Sequence, residues 1–253
     1  MPILGIDHLV IAVRDPDAAA ADLERELGLA FTGGGRHASA GTWNRLAFLG
    51  DAYLELIGVE DRGRVLANPD FAVGRAALAV LDAGLEGLAT WSVAVDDCAA
   101  EVSRLQRSGS PIGGPVPGSR VRPDGETVCW VTAFPTLGPA EPPFLIEHEM
   151  AGAEWGPDAM AERRAFEHPG LGRARLAGLV LPVSDPAVVA QRFEAVVGIR
   201  FDADGWTAPV GPHSVRLLAP AGGRPIVRLD TPAERSAPSI LSIVGIDWQV
   251  SPV

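Results

Sequence analysis

Residues 5–15, GIDHLVIAVRD, are echoed at residues 89–97, ATWSVAVDD. Each is an apolar run closing on Val-x-Asp, and superposing those ends sets His8 of the first copy against Thr90 of the second. Working outward, the segments HLVIAVRDPDAAAADLERELG, WSVAVDDCAAEVSRLQRSG and LVLPVSDPAVVAQRFEAVVG share one pattern. An apolar strand leads to an Asp, then to an amphipathic helix closed by Gly. Asp15, Asp97 and Asp185 stand where a side-chain oxygen can cap the first free helix amides. Pro16 and Pro186 occupy the position where a missing N–H costs least, and Gly28, Gly109 and Gly198 suit a left-handed stop. The Asp residues recur at intervals of 82 and 88 residues, far longer than a solenoid repeat.

After the first helix, LAFTGGGRH, TWNRLAFLG and AYLELIGV alternate as strands do; after the second, SRVRPDG, TVCWVTAFP and PFLIEHEM do the same. The unit reads β-α-β-β-β. A third, weaker copy runs through IRFDADGW, HSVRLLAP and PIVRLD to SILSIVGIDWQV, where Gly-Ile-Asp returns with Trp248 in the place of His8. NPDFAVGRAALAVLDAG and GPDAMAERRAFEHPG read as helical connectors. The expected organisation is a domain over 1–150, with modules at about 1–60 and 88–150, a helical linker over 151–173, and a third βαβββ-like module over 174–253.

The bulk composition narrows the function. Of 253 residues, 47% are hydrophobic and 21% charged, which describes a globular chain. A formal net charge of −11 without a clustered basic face argues against nucleic acid as a partner. All 21 basic residues are Arg, so Schiff-base lysines and the P-loop lysine are excluded. No apolar run approaches a membrane span, the N-terminus lacks the features of a signal peptide, and Cys98 and Cys129 form no CxxC pair. A cytoplasmic protein with reduced, structural thiols and no membrane association is expected. GGG at 33–35 lacks the context of a dinucleotide site, and neither GxSxG nor HExxH occurs.

DHLVIAVRD, GGRHASAGTWNRLAFLGDAYLELIGV, and RVRPDG followed by PFLIEHE together resemble the vicinal oxygen chelate superfamily, and within it the glyoxalase-like group. The resemblance implies an α+β fold in which paired βαβββ modules curl a mixed sheet into an open cup. It further implies metal ligands on the first and last strand of each module. Carried over, these places are His8 and Glu55, then Thr90 and Glu147. Period-two geometry is consistent with this, since Tyr53, Glu55 and Ile57 share one strand face and Leu145, Glu147 and Glu149 another; His148 would point away.

With Thr90 unable to supply an imidazole, the two-His set of extradiol cleavage and the four ligands of a glyoxalase I-like site are both incomplete. One imidazole and two carboxylates, His8, Glu55 and Glu147, remain as a hard donor set suited to a divalent metal, with Zn, Mn, Fe, Mg and Ni all open and a metal-free state equally expected. A core histidine and carboxylates paired with Arg are the structural alternatives. His37 is expected as general base or replacement ligand, with Glu147 also moving a proton. Arg36 and Arg122 are expected to hold a substrate carboxylate or phosphate, or to make turn-stabilising ion pairs at the rim. Trp43, Asn44, Thr90 and Trp130 complete the substrate-binding set, and His168 and His213 are expected at the surface.

The expected function is a metal-assisted isomerase, epimerase or lyase that stabilises an enolate of a small oxygenated metabolite. The alternative is a metal-free binding protein of the bleomycin-resistance type, with ring-cleaving dioxygenation ranked lower. Because the third module lacks a complete partner within the chain, a homodimer is expected.

Overall fold

The computed structural model describes residues 3–37, 40–68, 71–121, 125–150, 154–220, 222–232 and 239–253. The opening run forms strand β1 (Gly5–Ala12) and leads into helix α1 (Pro16–Leu27), where the Asp15 carboxylate accepts from the amides of Asp17 and Ala18. Ala19, Leu23 and Leu27, spaced at four residues, are the buried face of α1, and Gly28 ends it at φ 73°. Strands β2 (Gly33–His37), β3 (Thr42–Leu49) and β4 (Ala52–Val59) complete the first module. Two connecting helices follow, α2 (Arg62–Ala67) and α3 (Ala72–Asp82).

The second module repeats the plan with β5 (Gly87–Ala94), α4 (Cys98–Arg107), β6 (Val116–Val121), β7 (Thr127–Ala133) and β8 (Phe144–His148). Asp97 caps α4 through the Ala100 amide. The two modules form one eight-stranded sheet in the order β2-β3-β4-β1-β5-β8-β7-β6. β1 is parallel to β4 and β5 to β8, while β1 and β5 pair antiparallel at the centre. This is the α+β, open and curled mixed sheet that the family resemblance implies.

Beyond helix α5 (Pro157–Ala165), the chain builds β9 (Arg175–Pro182), α6 (Pro186–Val197), β10 (Thr207–Val210), β11 (His213–Leu218), β12 (Ile226–Thr231), β13 (Ser239–Ile243) and β14 (Ile246–Pro252). These strands form a second sheet in the order β10-β11-β9-β12-β14-β13. It differs from a single βαβββ copy. Two three-stranded halves, the second without a helix among the described residues, meet through antiparallel β9 and β12 as β1 and β5 do. β9 thereby finds its partner within the chain, which removes the sequence-based reason for expecting a dimer. Trp248 is fully buried and its indole donates to the Ile243 carbonyl.

One apolar cluster joins the two sheets, running from Leu9, Ile11 and Trp91 to Leu179, Phe193 and Trp248. It occupies one face of the eight-stranded sheet and leaves the other face for the cup. Gly28 lies so close to Gly170 that a Cβ there would stand 2.4 Å from the Gly170 Cα, at a φ only glycine adopts readily. Among the described residues, no helix is long and apolar enough to cross a membrane.

His168 and His213, expected at the surface, are instead buried between the two units. His168 accepts from the Ala30 amide and its other ring nitrogen donates to the Phe48 carbonyl; His213 accepts from the Ile6 amide. Burial holds both imidazoles below their ordinary range, opposed by hydrogen bonds to backbone carbonyls. In the unfolded chain they titrate near 6.5, so below that pH the unfolded state binds more protons and folding stability falls. The urea midpoint is therefore expected to drop between pH 7.5 and pH 5.5; an unchanged or rising midpoint would contradict the buried neutral state.

Candidate functional site

The register between β1 and β5 slips at the place that matters. Ile6 pairs with Val93 and Leu9 with Trp91, so Asp7 and His8 together oppose the single residue Ser92. This is a β-bulge, and it breaks the alternation that would send neighbouring side chains to opposite faces. The His8 amide bonds to the Ser92 hydroxyl at 3.2 Å, and His8 Nδ1 lies 2.6 Å from Asp7 Oδ1 and 2.8 Å from Ser92 Oγ. On the second carboxylate oxygen, Asp7 Oδ2 meets His148 Nε2 at 2.9 Å.

Asp7 is thus a carboxylate, 3% exposed, held between two imidazoles. Burial alone would raise its pKa, but the charge and hydrogen bonds of His148, and then of His8, hold it well below the usual carboxylate range. An ionised carboxylate only accepts, so His8 Nδ1 and His148 Nε2 must each carry a proton. When His8 carries a single proton, that proton sits on Nδ1 and the lone pair is on Nε2, 3.7 Å from Glu55 Oε2. Tyr53 stacks on the His8 ring with centroids 4.5 Å apart, and Phe144 meets it edge-on at 5.4 Å.

Glu55 is 8% exposed and takes 2.6 Å from Asn44 Nδ2 on Oε1. Asn44 Oδ1 accepts from the Gly35 amide at 2.9 Å, which fixes the amide orientation. The other Asn44 N–H points to His37 Nε2 at 3.5 Å, while His37 Nδ1 bonds Thr42 Oγ1 at 2.9 Å. These groups line a cavity of about 670 Å³, inside the range of ordinary small-molecule sites. His8, His37, Asn44, Glu55 and Trp130 all border it, with Arg36 at its rim. Arg36 is 64% exposed, ion-paired with Glu60 and poised over Trp43 at 5.7 Å. Trp43 itself is not on the cavity wall, and Arg122 lies outside the described residues.

Two further expected positions fall elsewhere. Glu147 does not join His8 and Glu55; its Oε2 accepts from the Cys98 amide at 2.8 Å, at the start of α4. The strand parity is the reverse of the one expected, with Phe144, Ile146 and His148 on the cup side and Leu145 in the core behind. The registers explain it. Val10 pairs with Glu55 in the first module and Ser92 with Phe144 in the second, so Phe144, not Glu147, is the counterpart of Glu55. Thr90, the counterpart of His8, is fully buried beside Val10, off the cavity wall, with no hydrogen-bond partner for its hydroxyl among the described residues. Helix α3 packs over β1, β4 and β5 here, with Val73 and Ala77 against Val10, Ala12 and Ala89.

The metal set read from the sequence accordingly does not assemble. His8 Nε2 and Glu55 Oε2 are neighbours, but Glu147 is turned away, and among the described residues no group of three His, Cys, Asp or Glu side chains is placed to hold an ion. Sequence reasoning also missed Asp7, Ser92, His148 and the residues after β8. Glu154 and Trp155 line the cavity from the segment read as a linker; Trp155 stacks on His148 at 3.6 Å and carries Arg163 at 4.1 Å. The Cys98 thiol is pushed up to about 12 by burial, then by Glu147, Asp97 and Glu101, so it is not a nucleophile here.

A family model described as a glyoxalase-like domain matches residues 6–197. The chain belongs to this glyoxalase-like family. Among solved structures, a hypothetical protein from Staphylococcus aureus is similar over 98% of this chain and 99% of its own, with TM-score 0.75 and 17% identity. Methylmalonyl-CoA epimerase from Mycobacterium tuberculosis is similar over 58% of this chain and 88% of its own, with TM-score 0.42 and 19% identity. No curated protein matches the sequence. In this glyoxalase-like chain, Glu147→Ala is expected to cost about 1 kcal/mol through the lost helix-start acceptor while leaving cavity ligand affinity unchanged. Urea unfolding and a ligand titration check both parts, and weakened ligand binding would place Glu147 in the site after all.

Proposed function

We propose that the chain is an enzyme moving a proton on a small oxygenated substrate bound in the cup, as an isomerase, epimerase or lyase does. The observation that carries this reading is the Asp7–His8 pair, which leaves the His8 lone pair on Nε2 beside Glu55. In the proposed step, His8 Nε2 takes a proton from carbon next to a carbonyl; the C–H electron pair becomes the enolate double bond and the carbonyl pair moves to oxygen. The imidazolium formed lies between the Asp7 and Glu55 carboxylates, which stabilise its charge. Asn44, whose second N–H is loosely held by His37, donates to the enolate oxygen. Return of the proton to the same or another carbon gives isomerisation or epimerisation, and loss of a β-substituent gives elimination.

No part of this step requires the metal set inferred from the sequence. A metal-free binding protein is the second reading, favoured by Thr90 and Phe144 standing where the second module would supply polar groups. Deuterium uptake from D2O into a panel of enolisable carbonyl compounds, read by mass spectrometry, separates the two. The enzyme reading predicts labelling that His8→Ala slows by about 10²–10⁴-fold. Saturable binding with no labelling, or equal labelling by the variant, would favour the binding protein.

A further inference from the structure

The wall of the cavity changes character away from His8. Beyond the cluster of Asn44, Glu55 and His8 it is built from Phe71, Val73, Val128, Trp130, Phe134 and Phe144, with Phe134 and Phe144 in contact at 5.2 Å between centroids. Its charged groups already have partners. Among the described residues, Arg36 is the single guanidinium on the wall, and it sits exposed at the rim with Glu60 already paired to it. Glu55 and Glu154 contribute carboxylates to the same wall, Glu55 held by Asn44 and His8 and Glu154 ion-paired with Arg163, and the Asp7 carboxylate lies directly behind His8.

An anionic ligand here would lose its water in an apolar chamber and face like charges. An organic cation would lose its water in the same chamber, and the carboxylates it would seek are engaged, as are two of the aromatic rings. Trp155 is stacked by both His148 and Arg163, and Tyr53 is stacked by His8. A neutral, largely apolar molecule meets neither obstacle, and its burial against the aromatic wall is favourable at about 25 cal/mol per Å². We infer that the site takes an uncharged, cyclic or aromatic carbonyl compound, its oxygen toward Asn44 and its apolar body along Phe144, Phe134 and Trp130. The inference rests on the proton-transfer reading only for which end of the ligand faces His8.

The test pairs 2-tetralone, a neutral enolisable bicyclic ketone, with its ring-carboxylated analogue. Affinity is read from tryptophan fluorescence and chemistry from deuterium uptake beside the carbonyl. The neutral ketone is expected to bind about tenfold or more tightly than the carboxylate, the scale of one uncompensated charge in a partly dry site. Ser119 is exposed and borders the cavity, so Ser119→Arg adds a cation without disturbing the core and should narrow that gap. A carboxylate bound as well as the ketone, no binding of either, or a gap untouched by Ser119→Arg would overturn the inference. If the carboxylate binds better and exchanges in a His8-dependent way, only the ligand class is wrong. If the ketone binds tightly yet shows no His8-dependent exchange, the ligand class holds and the proton-transfer reading fails.

Discussion

A carboxylate taken out of water is costly unless its oxygens are satisfied by charged or strongly polar donors. Asp7 meets that condition by drawing one imidazole from its own strand and one from β8 in the other module, through Oδ1 to His8 and Oδ2 to His148. The consequences spread outward. Strand β1 must bulge to bring Asp7 and His8 to one side, Ser92 must fill the space opposite, and Trp155 must cover His148. The tautomer of His8 follows from the same carboxylate, and with it the atom that faces the cavity.

The duplication accounts for the asymmetry of the cup. β5 carries a register slip matching that of β1, between Leu88 and Thr90, but places Ala89 and Thr90 where the first module has Asp7 and His8. Phe144 replaces the counterpart of Glu55, and helix α3 lies over the floor beside it. One half of a two-fold architecture has therefore become apolar packing, and the other keeps its polar cluster. Among the described residues, three buried side-chain atoms, Thr90 Oγ1, Trp91 Nε1 and His148 Nδ1, are left without a hydrogen-bond partner and carry the cost of that arrangement.

Much of the fold was legible because its signals are local. Asp15, Asp97 and Asp185 announce helix starts through short-range capping, and alternation marks the strands between them. Asn44, His37 and Glu55 lie on regular stretches of the first module, where alternation sets them on one face; His8 joins them on the cavity wall from the bulge. Asp7 was not readable, because period-two reasoning sends it behind the sheet and only a bulge returns it. Glu147 and His148 were exchanged for a related reason: a strand's parity depends on pairing register, and a one-residue slip reverses every side chain. The pairing of six strands into the second sheet and the folding back of Trp155 onto the cup are tertiary outcomes with no local signature.

The claim most open to direct test is the tautomer of His8. Nitrogen-15 NMR on selectively labelled protein at neutral pH, correlating each ring nitrogen with its carbon-bound protons, should show Nδ1 as the protonated nitrogen and Nε2 as the bare, pyridine-like one. Asp7→Asn should weaken that preference. A proton resident on Nε2 would contradict the account, because the atom assigned to take the substrate proton would already carry one.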